Sequence, residues 1–185
     1  MSGRGARMQR RRLELPAVIA LGSNLGDREA LLREAVLAIG RIDGVRLWGA
    51  SGIVESAALK PAGVDASAPA YLNAVVGVHT SLTPVRLLEE LQGIETRLGR
   101  VRTERWGDRT IDLDLITMGE QRMETAELTL PHPRAAERAF VLVPWLELQP
   151  AAHLVGIGPV ASLARAATDV VTPFPAAPLL ERAAG

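Results

Sequence analysis

The sequence contains no cysteine, few aromatic residues and no excess of either charge. The absence of cysteine excludes disulfides and zinc sites that are built on thiolates. With 21 basic and 21 acidic residues, the chain lacks the basic surface of a general nucleic-acid binder. No apolar run approaches the roughly 18 to 20 residues of a membrane span, and no apolar signal-peptide core follows the first residues. We therefore expect a cytoplasmic protein that binds neither nucleic acid nor membrane.

The composition is that of one ordinary globular domain. The chain has 185 residues, of which 48% are hydrophobic and 23% charged, so it can bury a substantial core. We expect residues 1–15 to form a disordered basic leader without function; a transit peptide and a nucleic-acid arm are the alternatives. Residues 16–150 carry the patterns of the main domain. Residues 151–185 predict a C-terminal helix and a tail, either part of the same domain or partly disordered.

The most informative segment is Ile-Asp-Leu-Asp-Leu at residues 111–115. Apolar and acidic residues alternate there with the period of a half-buried strand, which places Asp112 and Asp114 on one face. Their Cα atoms would lie roughly 6.5 Å apart, so both carboxylates can converge on one hard cation or on a pair of cations. The pattern therefore favours Mg²⁺. The alternative is a solvated strand face with two exposed aspartates, because Asp-x-Asp is a short and common motif.

An arginine-rich segment precedes this strand. Two neighbouring carboxylates need a cation or several donors to neutralise them, and clustered arginines indicate that a polyanion also binds. Acidic residues for a metal and arginines for phosphate together predict Mg-nucleotide chemistry. The arginines are Arg100, Arg102, Arg105 and Arg109.

A second alternating strand is predicted at residues 71–80, where Tyr71 and Asn73 share a face. An aromatic ring beside an amide suits a flat heterocycle, because the heterocycle stacks on the ring and its edge bonds to the amide. The alternative is a tyrosine at the edge of the core with a polar neighbour.

The order of the predicted elements gives the fold class. Strands at residues 16–21 and 45–56 flank a helix capped by Asp27, and a second helix begins at Thr83 between the strands that carry Tyr71 and Asp112. The order β-α-β-β-α-β is that of a ferredoxin-like α+β sandwich, here with additional C-terminal helices. Right-handed crossovers would place both helices on one face of the sheet.

Three further segments connect these elements. Gly-Ser-Asn at residues 22–24 lacks the Gly-Lys-Ser/Thr ending of a phosphate loop, so we interpret it as a tight turn beside a site. Residues 59–70 are rich in proline, alanine and glycine and predict a loop or lid. Pro131 and Pro133 lead into a predicted short helix that ends near Phe140.

Five motifs in this order resemble the 6-hydroxymethyl-7,8-dihydropterin pyrophosphokinase family of folate biosynthesis. The resemblance covers about residues 18–150, and its long central motif, which ends in Asp-Leu-Asp, is specific. The motifs are Gly22-Ser23-Asn24-Leu25-Gly26, Tyr71-Leu72-Asn73-Ala74, Leu98-Gly99-Arg100-Val101-Arg102, Arg105-Trp106-Gly107-Asp108-Arg109-Thr110-Ile111-Asp112-Leu113-Asp114 and Pro131-His132-Pro133-Arg134.

The resemblance implies transfer of diphosphate from ATP to the hydroxymethyl group of the pterin, with AMP as the other product. It implies that Asp112 and Asp114 hold two Mg²⁺ ions. Arg100 and Arg109 match residues on the nucleotide phosphates, while Arg102 and Arg105 lie in a mobile loop that closes over the substrates. Such transfer depends on positioning and charge neutralisation, so no Ser-His or Cys-His pair is needed.

The resemblance also assigns the two substrates to residues. The expected pterin contacts are Leu59, Tyr71, Asn73, Trp106 and Phe140. The expected ATP contacts, besides Arg100 and Arg109, are Gln92, Glu95, Leu115, Thr129, His132 and Arg138. For His132, bracing the proline-flanked turn is an equal alternative to phosphate contact. ATP and the pterin are the expected partners of a monomer with a single activity.

The chain departs from the family pattern at several positions. Asp108 stands where proline is common, and an acid among phosphate-binding arginines would repel ATP, form a salt bridge or change the stiffness of the loop. Thr103 and arginines replace a lysine that some members carry in the closing loop, and arginine is not a simple substitute for a lysine point charge. The segment 60–70 is longer than in compact members.

Two rival functions remain open at this point. One is a noncatalytic ferredoxin-like module that binds nucleic acid or a regulatory ligand, although aromatic residues are only 3% of the chain. The other is a Mg-dependent kinase with a different acceptor alcohol, or a family member made inactive by Asp108.

Overall fold

The computed structural model describes residues 13–60, 63–65, 69–99 and 110–180. Its strands are β1 Leu15–Ser23, β2 Val45–Ala50, β3 Ile53–Ser56, β4 Ala58–Lys60, β5 Gly63–Asp65, β6 Tyr71–Thr80, β7 Asp112–Met118, β8 Met123–Glu124, β9 Thr129–Leu130, β10 His153–Leu154, β11 Gly158–Pro159 and β12 Val171–Phe174. Its α-helices are α1 Arg28–Ile39, α2 Pro84–Arg97, α3 Ala139–Leu148 and α4 Val160–Ala166, and a 3₁₀ turn spans Ala135–Glu137.

One antiparallel sheet organises the molecule. Its strand order is β12-β3-β6-β1-β7, and β2 pairs with the other end of β6. Taking β2 and β3 as one interrupted strand gives the order of a ferredoxin-like sheet, in which the first and third strands are central. The predicted fold class is confirmed. Three two-stranded hairpins, β4-β5, β8-β9 and β10-β11, lie outside this sheet.

The two crossover helices begin where their sequences predict. The Asp27 side chain accepts a hydrogen bond from the Ala30 N–H at 3.1 Å, and Thr83 caps α2 through the Arg86 N–H at 3.3 Å. Gly99 has a φ of 89°, the left-handed conformation expected after a helix. Gly40 is different, since it ends α1 with a φ of −65°. A Cβ at Gly40 would lie 2.9 Å from Leu47 Cδ1, so a larger residue there would require the leucine side chain to move.

The sheet separates two hydrophobic cores. The larger core lies under α1 and α2 and includes Ile19 and Leu115. The smaller core lies on the opposite face, under α3 and α4, and includes Val18 and Trp145. Adjacent residues of β1 therefore face different layers, as the two-residue period of a strand requires. The expectation that both crossover helices cover one face is confirmed.

Four local predictions need correction. The strand predicted at 45–56 is interrupted at residues 51–52, because the Ser51 hydroxyl and N–H bond to the Val75 backbone instead of continuing one ladder. Residues 58–60 and 63–65 pair as β4 and β5, where only a loop or lid was predicted. The short helix expected before Phe140 is a 3₁₀ turn, and Phe140 lies at the beginning of α3 instead of at a helix end.

The fourth correction concerns the C-terminal tail. Residues 171–174 form β12, which pairs with β3 at the edge of the main sheet despite containing Pro173. Proline is tolerated on an edge strand because its missing N–H removes no bond from a second neighbour. The C-terminal helix predicted within residues 151–185 is present as α4.

Candidate active site

The cleft forms where the sheet face that carries the smaller core changes from apolar to polar. Each of three neighbouring strands contributes apolar residues under α3 and α4 and then polar or small residues beyond them. The changes are from Val18 and Ala20 to Gly22 on β1, from Val75 to Asn73 on β6, and from Ile116 to Asp114 on β7. The end of the smaller core is therefore also the floor of the cleft.

Gly22 lies at the centre of this floor. In the strand register it stands opposite Asn73 on one side and Asp112 on the other. Directly paired residues project their side chains to the same face of the sheet, so the side chains of Asn73 and Asp112 flank Gly22, which has no side chain. With strands about 4.8 Å apart, Asn73 and Asp112 stand on strands roughly 10 Å apart. This separation accommodates a flat ring on one side of Gly22 and a charged group on the other.

Replacing Gly22 with alanine should weaken binding of any ligand that occupies the floor. A Cβ at this position would lie 3.3 Å from Asn73 Oδ1, so the amide must shift by a few tenths of an ångström, whereas Tyr71 Cδ1, at 3.7 Å, is at ordinary contact distance. We expect ligand affinity to fall by about tenfold, in line with the effect of small displacements in a site. Calorimetric titration of the variant would measure this, with Gly93→Ala on α2 as the control. Unchanged affinity would mean that the ligand does not touch the floor.

The Asn73 amide is held in one orientation. Its nitrogen donates to the Ser56 hydroxyl at 2.9 Å and, more weakly, to the Tyr71 carbonyl at 3.4 Å. Asn73 is 4% exposed, so these bonds satisfy a buried donor. The Oδ1 atom points towards Gly22 and the cleft. The site therefore presents an acceptor, which suits a heterocycle that carries an N–H or amino group on its edge.

The two aspartates are on the cleft face of β7, while Leu113 and Leu115 point into the larger core. The Asp114 side chain is 34% exposed. Its Oδ2 lies 3.6 Å from the Arg138 guanidinium and 3.9 Å from His132 Nε2. The Arg138 guanidinium also lies 5.5 Å from the centre of the Phe140 ring. Arg138 thus lies between the acidic end of the cleft and its aromatic end.

His132 lies at the acidic end, but it carries no charge at neutral pH. Burial, and next the positive charge of Arg138, lower the pKa of His132 to about 4, although Asp112 opposes the shift. Its contact with Asp114 is therefore not an ion pair above that pH. The backbone N–H of His132 donates to the Ile116 carbonyl at 2.8 Å, and the ring Nδ1 of His132 accepts from the backbone N–H of Arg134 at 3.3 Å. The bracing role is present, and phosphate contact stays a prediction.

This pKa predicts how the stability of the metal-free protein depends on pH. Since His132 has a lower pKa when folded than the 6.5 of an ordinary histidine, the unfolded state binds more protons between pH 6.5 and about 4. The contribution of neutral His132 to the free energy of unfolding is fully present above pH 6.5. It falls by up to about 3 kcal/mol as the pH decreases towards 4. Urea unfolding in EDTA across this range would measure the slope. His132→Asn should reduce the dependence of stability on pH. An equal slope in the parent and the variant would show that other groups cause this dependence.

A third segment is tied to the site through the Gly-Ser-Asn motif. Ser23 and Asn24 are buried, and β1 continues through Ser23 instead of turning at residue 22. The Ser23 hydroxyl donates to the Thr110 carbonyl. The motif therefore holds the residue that joins the arginine-rich segment to β7, which replaces our interpretation of it as a simple turn.

The donor set fits a magnesium site that is completed by phosphate. Among the described residues, no group of three or more His, Asp or Glu side chains is placed to hold a metal. Mg²⁺ characteristically binds one or two carboxylates and takes its other ligands from water and substrate phosphates. Asp112 and Asp114, on one face of one strand, match that pattern, whereas a self-contained protein cage would need more ligands.

The structure brings together six of the residues predicted for the site. All six line the cleft: Tyr71, Asn73, Asp112, Asp114, Arg138 and Phe140. His132 adjoins it through Asp114. Arg100, Arg102, Arg105, Trp106 and Arg109 lie outside the described residues, and so does Asp108. Leu59 is described only as part of β4.

Four predicted nucleotide contacts do not line this cleft. Gln92 is exposed on α2, whereas Glu95 is 2% exposed and accepts a bond from the Leu113 N–H at 2.8 Å. The Leu115 side chain is in the larger core, although β7 is an edge strand whose backbone can still meet a ligand. Thr129 belongs to β9. Their nucleotide roles stay predictions.

Sequence reasoning did not assign several of the lining residues to the site, among them Gly22, Ser56 and Arg134. Arg134 belongs to the Pro-His-Pro-Arg motif, which was a usable signal. Gly22 had a weaker signal in the motif at residues 22–24. Ser56 had none, because its importance comes from the pairing of β3 with β6.

The family model described as 7,8-dihydro-6-hydroxymethylpterin-pyrophosphokinase (HPPK) matches residues 18–150. The chain belongs to this family. The resemblance noted in the sequence is thereby confirmed. The match includes every described residue of the cleft and excludes α4 and β12, which follow it.

Relatives support the same assignment. The chain is 46% identical over 132 residues to the 2-amino-4-hydroxy-6-hydroxymethyldihydropteridine pyrophosphokinase of Bacillus subtilis (strain 168), a match that covers 71% of this chain and 77% of that one. The protein of the same name from Haemophilus influenzae is 42% identical over 134 residues, with 72% and 81% covered.

Solved structures share the fold. Two crystal structures of Plasmodium falciparum HPPK-DHPS superpose with TM-scores of 0.64 and 0.60, each at 14% identity. The matches cover 85% and 83% of this chain and 46% and 44% of those chains. This chain therefore spans less than half the length of these structural neighbours.

Proposed function

We propose that this protein transfers diphosphate from ATP to 6-hydroxymethyl-7,8-dihydropterin, giving AMP and the pterin diphosphate, in folate biosynthesis. The observation that carries the proposal is the register of three strands, in which Gly22 separates Asn73 from Asp112. One side of this glycine offers an aromatic ring and an amide acceptor, and the other offers paired carboxylates. A flat heterocycle and a metal-bound polyphosphate would thereby lie side by side.

The pterin would lie at the aromatic end of the cleft. Tyr71 and Phe140 provide ring surfaces there, and Asn73 Oδ1 provides an acceptor for an N–H or amino group on the edge of the heterocycle. The Arg138 guanidinium over Phe140 holds that ring at the entrance. This arrangement directs the hydroxymethyl group across Gly22 towards the aspartates.

In the reaction, the hydroxymethyl oxygen forms a bond to the β-phosphorus of ATP. The bond between that phosphorus and the oxygen bridging to the α-phosphorus breaks, AMP keeps the bridging oxygen, and the hydroxyl proton is released. Asp112 and Asp114 would hold two Mg²⁺ ions. When bound, the ions supply neutralisation of the phosphate charge. Arg138, 3.6 Å from Asp114 Oδ2, holds that carboxylate in place.

Neutral His132 has a different role from the arginines. Its ring offers a hydrogen bond to a phosphate oxygen without adding a positive charge. The arginines at residues 100, 102, 105 and 109 would supply that charge when their segment closes over ATP, and Trp106 would then cover the pterin. Closure removes water, which strengthens every charged contact in the cleft.

One assay tests the proposal against its rivals. The protein is incubated with ATP, Mg²⁺ and reduced 6-hydroxymethylpterin, and AMP is resolved from ADP. We expect AMP to form only when the pterin is present. Formation of ADP would indicate a kinase with another transfer chemistry. Absence of nucleotide turnover, with pterin binding retained, would indicate an inactive relative or a binding module.

We also propose a monomer that acts in the cytoplasm. ATP, the proposed co-substrate, is supplied in that compartment. Among the described residues, no helix is long and apolar enough to cross a membrane. Light scattering after size-exclusion chromatography tests the monomer: a mass close to 19.8 kDa supports it, and twice that mass contradicts it.

A further inference from the structure

Arg28, the first residue of α1, connects three segments of the chain around the aromatic end of the cleft. Its Nη1 atom donates to Glu55 Oε1 at 2.9 Å and to the Ala70 carbonyl at 2.7 Å. Glu55 belongs to β3, and Ala70 immediately precedes β6. One guanidinium nitrogen thus links the beginning of a helix, the end of one strand and the beginning of another.

The residues that follow these two contacts line the cleft. Ser56 follows Glu55, Tyr71 follows Ala70, and the two are directly paired in the ladder between β3 and β6. Ser56 also accepts the hydrogen bond that orients the Asn73 amide. The Arg28 contacts therefore lie on either side of the last pair of this ladder: Glu55 is one residue inside it on β3, and Ala70 is one residue beyond it, before β6.

The end of a ladder needs such an anchor. The pairing of β3 with β6 comprises only three residue pairs, from Val54 with Asn73 to Ser56 with Tyr71. The last pair of a short ladder frays most easily, because only one side of it is held by a neighbouring pair. A charged hydrogen bond to a carbonyl next to that pair restricts this motion, and it does so where the tyrosine ring must present a flat surface.

We infer that Arg28 is a positioning residue for the heterocycle, acting through Ala70 and Glu55 on Tyr71 and on the amide of Asn73. The inference rests on the proposed function, because it assigns Arg28 to the pterin end of the cleft. Arg28 itself does not line the cleft. Its removal should therefore affect the pterin and leave the metal and ATP end unchanged.

The chain offers a closely matched control on the same helix. Arg33 bonds to Glu29 at 2.7 Å and to the carbonyls of Ala177 and Pro178, so it also joins a carboxylate to backbone oxygens. These partners lie away from the cleft. Arg28→Ala and Arg33→Ala remove the same kind of interaction, and only the first should alter pterin binding.

Steady-state kinetics test the inference. We expect Arg28→Ala to raise the KM for the pterin by about tenfold, the value of one charged hydrogen bond, with the KM for ATP within about twofold of the parent. Arg28→Lys should recover much of the loss, since one nitrogen makes both contacts. Arg33→Ala should match the parent. Equal increases in both KM values, or no increase for the pterin, would overturn the inference.

Hydrogen exchange separates this inference from the proposed function. Amide exchange in a peptide covering residues 69–73 should be faster in Arg28→Ala than in Arg33→Ala, without any substrate present. If the parent enzyme makes no pterin-dependent AMP, the proposed function fails, whereas this measurement still reports the anchor. Because the side chains of Arg28 and Glu55 are 27% and 37% exposed, the variant should fold. Equal exchange rates would exclude the anchor.

Discussion

Replacing either Asp112 or Asp114 with asparagine should reduce turnover by at least about 100-fold, the scale of losing several kcal/mol of charge stabilisation. Asparagine keeps the size of the side chain but removes the charge that a hard cation requires. Each carboxylate belongs to the only pair of acidic residues that lines the described cleft, so no neighbouring acid there can replace it. The rate as a function of Mg²⁺ concentration measures the effect.

The same variants should still fold. Both side chains are partly exposed, and removing one of two adjacent like charges relieves repulsion in the metal-free protein. Mg²⁺ with a nucleotide should raise the melting temperature of the parent by mass action, and this increase should disappear in both variants. Asp43→Asn, on an exposed residue after α1, should retain parental activity and parental stabilisation. Near-normal rates at limiting Mg²⁺ would show that the metal assignment is wrong.

Replacing Glu95 with alanine should lower the free energy of unfolding by about 2 to 4 kcal/mol. Glu95 is buried on α2, and its Oε1 accepts the Leu113 N–H of β7 at 2.8 Å. Alanine would leave that N–H without this acceptor and would create a cavity between helix and strand. Since Leu113 separates the two aspartates, the same bond fixes the strand that carries them. Urea unfolding measures the loss.

Two further variants determine what Glu95 does. Glu95→Gln keeps an oxygen acceptor and should remain within about 1 kcal/mol of the parent. Glu89→Ala, which removes an exposed ion pair on the same helix, should cost less than about 0.5 kcal/mol. If Glu95→Gln folds normally but raises the KM for ATP, the predicted nucleotide contact is supported. If Glu95→Ala unfolds at the same urea concentration as the parent, the proposal that Glu95 stabilises β7 through the Leu113 N–H is wrong.

The features that the sequence predicted well depend on local periodicity and capping. Alternation from residue 111 to 115 correctly placed Asp112 and Asp114 on one face, because strand geometry alone fixes that relation. Asp27 and Thr83 correctly marked the starts of both crossover helices, because a cap bonds to an N–H only three residues away. The element order then gave the fold class through the short list of allowed connections.

The features that the sequence missed depend on distant partners. Val171–Phe174 has weak strand character and contains a proline, yet it forms β12 because the edge of β3 is available to pair with it. The strand predicted at 45–56 is interrupted because Ser51 bonds to Val75, 24 residues further along the chain. Neither partner can be recognised from the residues around these segments.

Family resemblance supplied what periodicity did not. It singled out Arg138 and Phe140, which the structure places beside Asp114 and at the cleft. It also listed Glu95, whose observed partner is the backbone of β7 instead of the cleft. A motif identifies positions, but it does not distinguish a side chain that meets a ligand from one that supports the strand below.

By itself, the sequence determined the starts of the two crossover helices, the order of the main strands, the shared face of the two aspartates and the family. Each of these follows from residues near one another in the chain or from an ordered set of motifs. The tertiary structure decided that Gly22 separates Asn73 from Asp112, that Ser56 orients the Asn73 amide and that Arg28 anchors the end of their ladder. These relations depend on strand register and on side chains reaching between segments, which only the packed chain specifies.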